Sequence, residues 1–586
     1  MANPNMSTRD ISNILYDVAL ECIMDRIDDA RDRDSISLVC KKWNNTDALT
    51  RKHVTIALCY TTTPSRLSKR FPHLESLKLK GKPRAAMFNL IPDDWGGYAG
   101  PWIQEISQSF TCLKALHFRR MIITDNDLEI LGRSHGSRLH TLMLDKCSGF
   151  STDGLLHITG TCRALKILFL EESTIEEKDG RWLHEVALHN TVLETLNFFL
   201  TDLSKIAIED LELIARNCSK LVSIKISEVE ILELIGFFRA ATRLEELAGG
   251  AFNQQSEMYA AIALPRTLRF LGLGYVGADE MHLIYPFATL LRKLDLQYSL
   301  LDTEGHCQLI QRCPNLEVLE ARNVIGDRGL EILAQYCKKL KRLRIERGAD
   351  EGMEDEQGVV SQRGLSALAQ GCVELEYLAV YVSDITNASL ECIGTHCKSL
   401  CDFRLVLLDR EENITELPLD NGVRALLMGC QKLRRFALYL RDGGLTDVGL
   451  GYVGQYSNNV RWILLGYVGE TDEGLIEFSR GCPNLQKLEV RGCCFSERAL
   501  AEAVLQLTSL RYLWVQGYRA SPQPGSDLLP MVRDFWNIEY IPPRQVIYNE
   551  NITVDHPAQI LAYYSLAGQR TDYPSTVIPW IRLRGP

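Results

Sequence analysis

One hydrophobic phrase, Leu-x-x-Leu-x-Leu, recurs along most of this chain. Clear copies begin at Leu74, Leu113, Leu139, Leu165, Leu193, Leu268, Leu291, Leu340, Leu375, Leu485 and Leu510. Looser ones begin at Leu221, Leu244, Leu316, Leu400, Leu433 and Val460. The seventeen starts span the 436 residues from Leu74 to Leu510 in sixteen steps, a mean near 27. Apolar and polar residues alternate within each phrase, which predicts a short strand. The stretches between, such as GLEILAQYC at 329–337, carry helical spacing. RKHVTIAL at 51–58 reads as one more, degenerate copy.

A strand-plus-helix unit of this length has the leucine-rich-repeat period. One unit cannot bury its apolar edge, and stacked units share a continuous core. The expected fold class is therefore α/β: a leucine-rich-repeat solenoid, a horseshoe of about 18 repeats over 51–520, with strands on the concave side. Three steps are too long: 39 residues from Leu74, 35 from Leu340 and 33 from Leu400. They predict long loops at 80–102, 347–362 and 408–421. The first carries RAAMFNLIPDDW at 84–95, apolar and aromatic enough to pack down rather than stand in solvent. Residues 1–50 read as short helices, and 521–586, rich in Pro and aromatics, as a C-terminal cap.

Composition narrows the classes. Of 586 residues 46% are hydrophobic and 24% charged, so a packed core rather than disorder is expected. The net charge of −10 lacks the basic footprint of a nucleic-acid binder. No apolar run of about 18 residues predicts a membrane span, and MANPNMSTRD lacks the apolar stretch of a secretory signal. Eight of the 18 cysteines (162, 218, 313, 337, 372, 397, 430 and 482) occupy one slot, Cys-x-x-Leu, in phase with the ladder. That placement reads as buried free thiols. Without paired CxxC hairpins no zinc or other metal is expected.

The outward positions of the strands carry the chemistry. Twelve of 51 are Lys or Arg, about twice the frequency of 65 in 586, while acids are barely enriched. Nine are aromatic, again about a twofold enrichment. Arg with aromatics is the composition of binding hot spots, and cations gathered in a hollow repel unless an anion sits among them. Arg342 and Arg344 share a strand face, His117, Arg119 and Arg120 lie early, and Arg404 and Arg491 late. Forked guanidiniums suit phosphate and carboxylate. The alternative is pairing with Glu320, Glu346, Asp402 or Glu489.

Catalytic motifs come only as near misses. Gly272-Leu-Gly274-Tyr-Val-Gly277, with Asp295 downstream, imitates a dinucleotide fingerprint, but the repeat phase accounts for both strands. His184-Glu185 is followed by His189 five residues on, the wrong spacing for two ligands on one helix face. A non-enzyme is expected.

Val18, Ile23, Ile27, Asp34, Ser37, Leu38, Val39, Cys40, Lys41 and Trp43 resemble an F-box, with Tyr16-Asp17 near where that family opens Leu-Pro. An F-box followed by leucine-rich repeats resembles a substrate receptor of an SCF ubiquitin ligase. KGKPRAAMFNLIPDDWGGY, RIERGADE, AVYVSDITN, FRLVLLDRE, YLRDGGLTD, EVRGCCFSERAL and RYLWVQGYRAS carry the likeness further. Over essentially the whole chain they resemble the plant coronatine-insensitive jasmonate receptor family, sister to the auxin receptors.

The resemblance implies a nuclear F-box receptor, with the cytoplasm as a second location. Its implied partners are a Skp-type adaptor, a cullin reached through it and jasmonate-ZIM-domain repressors. Jasmonoyl-isoleucine or coronatine would be the small ligand, and no nucleic acid or membrane is implied. Arg84, Met87, Phe88, Leu90, Arg344, Ala379, Tyr381, Arg404, Val406, Tyr439, Leu464, Arg491 and Trp514 would line the hormone site. Lys80, Arg84, His117, Arg119, Arg120, Arg342, Arg344 and Arg404 would meet an inositol polyphosphate, expected to be the pentakisphosphate. Arg347 and Arg491 would touch the repressor. An auxin-type receptor and a hormone-independent F-box scaffold stay open as alternatives.

Overall fold

The computed structural model describes residues 8–27, 29–347, 358–408, 416–523, 525–531, 534–548 and 551–580. Most of the expected loops at 347–362 and 408–421, and the last six residues of the cap, lie outside them. The chain divides into two units, 1–84 with 96–220 and 85–95 with 221–586.

The first unit opens with three helices, Thr8–Met24, Ala30–Ser37 and Lys41–Thr50. Buried Arg33 ties them together. Its Nε lies 3.0 Å from Asp47 Oδ1 on the third helix, and its guanidinium donates to the Met24 carbonyl at the end of the first. Arg51 reaches both Asp47 (3.0 Å) and Asp34 (2.8 Å). Buried charges persist here because each has a partner.

Six parallel strands follow: His53–Ile56, Ser76–Lys80, Ala115–Arg119, Thr141–Asp145, Ile167–Phe169 and Thr195–Asn197. The first confirms RKHVTIAL as a rung, paired from His53↔Ser76 to Ile56↔Leu79. In Ser76–Lys80 the leucines are fully buried while Ser76, Lys78 and Lys80 are half-exposed. The alternation in sequence thus becomes a core side and an open side.

In the second unit twelve strands, from Ser223–Lys225 to Tyr512–Gln516, each pair in parallel with the next in sequence. The C-terminal segment then reverses direction. Gln559–Tyr564 pairs antiparallel with Tyr512–Gln516 and with Trp536–Ile541, which takes Ile578–Trp580 on its far side. This covers the sheet edge that the last repeat would leave open.

Successive helices are pinned by a repeated carboxylate. Asp447 accepts from Glu470 N (2.9 Å), Thr471 N (3.1 Å) and Thr471 Oγ1 (2.6 Å) at the start of the next helix. Asp327 with Ser361, Asp420 with Thr446 and Asp472 with Ser496 repeat the device, and Asp125 with Ser151 does so in the first unit. Gly474 stands where a Cβ would meet Asp447 Oδ1 at 2.2 Å. All eight Cys-x-x-Leu thiols are free and buried. Burial pushes Cys482 up to about 12 and Cys430 to about 11. No helix among the described residues is long and apolar enough to cross a membrane.

Candidate functional site

Three surfaces carry chemistry. The first is on the N-terminal helices, where Val18, Ile23, Leu38 and Val39 are 53%, 60%, 83% and 61% exposed. Exposed apolar side chains grouped on one small domain mark a docking face. A cavity of about 240 Å³ lies beside it, lined by Tyr16, Leu20, Ile23, Met24, Ile27 and Trp43 among others. At Tyr16-Asp17, Lys42 sits 4.4 Å above the Tyr16 ring and 2.5 Å from Asp17 Oδ1.

The second is a cation cluster on the open side of the first unit. Strand register sets Lys78 beside His117 and Lys80 beside Arg119, with Asp145 next to Arg119. Asp145 Oδ2 lies 3.3 Å from His117 Nε2 and 3.2 Å from Arg119 Nε. Burial works against its charge, but His117 and Arg119 win and hold its carboxyl below the ordinary value. Arg120, at φ 52°, donates from Nε to the Lys82 carbonyl (2.9 Å). That fastens the start of the first long loop; a Cβ at Gly81 would meet the Arg120 carbonyl at 2.3 Å. Burial lowers the Lys78 ammonium, and Arg119 and Arg120 add to this. Arg119 Nε is buried and, despite its nearness to Asp145, has no hydrogen-bond partner. His117 and Arg119 therefore meet the Asp145 carboxylate, while Lys78, within reach of the Arg119, Arg120 and Asp145 charges, adds to a cationic cluster. Arg84 belongs to this unit too and begins the short 3-10 turn Arg84–Phe88.

The third surface is the open face of the second unit, where three rows of side chains cross the strands. One row runs Arg342, Tyr377, Asp402, Arg435, Trp462, Lys487, Tyr512. The middle row runs Glu320, Arg344, Ala379, Arg404, Ala437, Leu464, Glu489, Trp514. The third sets Val406, Tyr439, Gly466, Arg491 and Gln516 side by side, with Tyr381 against Val406.

Alanines flank Arg404, and Gly466 lies under the Tyr439 ring, so this face is recessed between large cationic and aromatic groups. Arg404 lies 5.3 Å from the Tyr377 ring centroid and 5.0 Å from that of Trp462. Arg342 covers Tyr377 at 4.4 Å, and Arg491 covers Tyr439 at 5.5 Å. Burial pushes the Tyr439 phenol up to about 12, with Arg491 pulling the other way.

Carboxylates engage three of these arginines; Arg435 lies 3.4 Å from Asp402 Oδ2. Arg344 contacts Glu346 (2.5 Å) and Glu320 (3.6 Å), and Arg404 takes Asp402. Burial disfavours both charges, yet these acids raise both guanidiniums above their ordinary value. Glu489 is held by Trp462 Nε1 (2.6 Å) and Lys487 (3.0 Å) instead. Among the described residues no carboxylate pairs with Arg342 or Arg491. Arg347 is exposed just past its strand.

The loop segment 85–95 belongs to the second unit, where it packs on the C-terminal cap. Trp95 is fully buried and donates from Nε1 to Glu539 Oε2 (2.7 Å). Arg570 donates to the Trp95 carbonyl and lies 4.6 Å from its ring centroid. Leu90 is buried, whereas Met87 and Phe88 are 39% and 53% exposed. The two units thus divide the expected residues. Lys80, Arg84, His117, Arg119 and Arg120 fall in the first; Met87, Phe88, Leu90 and all those from Arg342 to Trp514 fall in the second. Sequence reasoning missed Gln559, Glu539 and Arg570, which sit hundreds of residues from the loop they hold and belong to no repeat.

The catalytic near misses dissolve. Phe270–Leu273 is an ordinary rung, and a 3-10 turn, Asp279–Leu283, follows the glycines where a dinucleotide site needs a helix. His184 bonds Asp210 at 2.7 Å, while His189 faces Glu185.

Two family models match: "F-box" over residues 12–53 and "Transport inhibitor response 1 protein domain" over 72–118. "Coronatine-insensitive protein 1" of Arabidopsis thaliana is 66% identical, covering 98% of this chain and 99% of that protein. "Coronatine-insensitive protein homolog 1a" of Oryza sativa subsp. indica is 60% identical, covering 96% of each. "GRR1-like protein 1" of Arabidopsis thaliana is 34% identical, covering 95% of this chain and 96% of that protein.

Proposed function

The chain belongs to the coronatine-insensitive family of F-box proteins, and from that premise we propose that it is a jasmonate co-receptor. In this reading it is the substrate-recognition subunit of an SCF-type ubiquitin ligase. It binds jasmonoyl-isoleucine and recruits jasmonate-ZIM-domain repressors for ubiquitination. The observation that carries the reading is the second unit's recessed face, where Arg344, Arg404 and Arg491 interleave with Tyr377, Tyr439 and Trp462 around Ala379, Ala437 and Gly466.

The exposed apolar side chains of the N-terminal helices dock on a Skp-type adaptor, which brings the cullin. Arg404 presents Nε and Nη2 to Asp402, which leaves Nη1 for the hormone carboxylate. A charge already balanced and ringed by aromatics is costly to desolvate alone but is pre-aimed for a second anion. Ala379, Val406 and Leu464 offer the apolar wall, with Trp514 behind it and Met87 and Phe88 on the loop. Arg347 and Arg491 meet the repressor, and Tyr381 and Tyr439 supply hydroxyls. Ubiquitin transfer occurs on other subunits, and the complex acts in the nucleus.

An inositol polyphosphate fits the first unit on two observations: Lys78, Lys80, His117, Arg119 and Arg120 gather on neighbouring strands, and Arg119 Nε, though 3.2 Å from Asp145, is buried without a hydrogen bond. Lys80, His117, Arg119 and Arg120 would hold it. When bound it supplies dense negative charge that relieves repulsion among those side chains.

The test is capture of repressor by purified receptor–adaptor complex. Capture with jasmonoyl-isoleucine but not indole-3-acetic acid is expected. Capture with indole-3-acetic acid would shift the reading to an auxin-type receptor, and capture without either would make the protein a hormone-independent scaffold.

A further inference from the structure

Between the last repeat strand and the loop segment 85–95 stands one buried amide, that of Gln559. It is 2% exposed, on the strand Gln559–Tyr564, and opposes Gln516 across the antiparallel pair. Its Oε1 accepts from Trp514 Nε1 at 2.9 Å, and its Nε2 donates to the Leu90 carbonyl. The two bonds fix the amide's orientation, since an oxygen must face the indole N–H and an N–H must face the carbonyl. Trp514 and Leu90 are themselves buried, at 3% and 5% exposure.

The other end of the segment is held as firmly. Trp95 is bound through its indole to Glu539 and through its carbonyl to Arg570, and Asp94 Oδ1 accepts from Thr576 Oγ1 at 2.7 Å. Glu539 also receives Tyr563 Oη at 2.8 Å and Arg570 Nη1 at 3.4 Å. Met87 and Phe88 precede these anchors and are partly exposed, at 39% and 53%. A segment held at Leu90, Asp94 and Trp95 has little freedom to swing as a lid. The C-terminal cap has therefore set the place of Met87 and Phe88 before any ligand arrives, which lowers the ordering cost of binding.

We propose that Gln559 is a positioning residue of the receptor: it latches the Leu90 backbone to Trp514, so that segment 85–95 is a pre-set wall of the ligand site rather than a closing flap. The latch rests on geometry alone; its consequence for ligand binding rests on the hormone reading above. Gln559 touches no ligand in this scheme and acts through Leu90 and Trp514.

The experiment uses full-length receptor–adaptor complex, as wild type, Gln559→Glu and Gln559→Met. Gln559→Glu keeps an acceptor for Trp514 but sets an oxygen against the Leu90 carbonyl. Gln559→Met removes both bonds without adding charge, which guards against a folding failure of the charged variant.

Hydrogen exchange without hormone is expected to be slow across 85–95 in wild type and at least tenfold faster there in Gln559→Met, with repeat strands unchanged. Jasmonoyl-isoleucine titration is expected to show at least tenfold weaker binding at an unchanged number of sites. A merely structural role would instead lower the number of competent sites and leave their affinity intact. Equal exchange across 85–95 in wild type and Gln559→Met overturns the latch, as does a wild-type segment that becomes protected only when hormone is added. Faster exchange with unchanged affinity overturns the positioning role. If wild type takes up no hormone at all, the hormone reading fails, and exchange alone decides the latch.

Discussion

Arg404 and Asp402 lie two residues apart on one strand and form a two-pronged pair, Nε to Oδ1 and Nη2 to Oδ2, both at 2.8 Å. The receptor face is thus charged in its parts and close to balanced around Arg404 before a ligand binds. Removing either partner has different consequences. Asp402→Asn leaves Arg404 half-buried without its carboxylate and Arg435 without its own, so chemical denaturation should show a loss of about 1.5–3 kcal/mol. Arg404→Ala should also weaken hormone-dependent repressor capture by on the order of 10- to 100-fold, the weight of one charge-assisted contact. Capture that survives Arg404→Ala unchanged removes that residue from the site.

The first unit carries a cationic cluster of its own. Lys78, Lys80, His117, Arg119 and Arg120 gather on neighbouring strands, so a polyanion should be retained through purification. Native mass spectrometry of the wild-type complex should show added mass of an inositol polyphosphate. Arg119→Ala combined with Arg120→Ala should abolish it, and rising salt should weaken it. A wild-type complex with no such mass removes the cofactor.

Much of this was legible in the chain and some was not. The ladder phrase reports burial directly, because Leu77 and Leu79 must face the core if Lys78 and Lys80 face out. The degenerate rung at His53–Ile56 followed from the same phase. Which carboxylate would neutralise which arginine was not legible. Glu489 pairs with Trp462 and Lys487 because neighbours in three dimensions are set by strand register, which single phrases do not encode. The helix-pinning aspartates such as Asp447 were equally hidden, since their partners lie one repeat away. Arg570 and Gln559 contact the loop across more than four hundred residues, in a segment with no periodicity.

Asp295 gives a pH signature. It adjoins Glu320 in register, with Lys293 and Lys225 opposing. Burial and then Glu320 push its carboxyl up to about 6. Unfolding restores it to about 3.9, so its contribution is most favourable below pH ~4 and is lost as pH rises through about 6. The roughly two-unit shift is worth on the order of 3 kcal/mol. Asp295→Asn should therefore be more stable than wild type at pH 7.5 and similar at pH 4.5, measured by urea unfolding at both. Parallel stabilities at the two pH values contradict this.

Thiol reactivity separates the cysteines. Cys22, Cys40 and Cys494 are exposed, while the eight ladder cysteines are buried, and burial raises each of their thiols. Since the thiolate is the reactive form, alkylation at pH 8 should label the three exposed positions first and spare the ladder until denaturant is added. Mass mapping that finds Cys337 or Cys397 labelled in the folded protein contradicts the repeat packing.

The central claim is that one small anionic hormone completes the surface that a repressor binds. Isothermal titration of the receptor–adaptor complex with jasmonoyl-isoleucine, with and without a repressor degron peptide, tests it most directly. Positive coupling predicts hormone affinity 5- to 150-fold higher when the peptide is present, on the order of 1–3 kcal/mol. Identical affinity in the two titrations, or no hormone binding in either, would contradict the account.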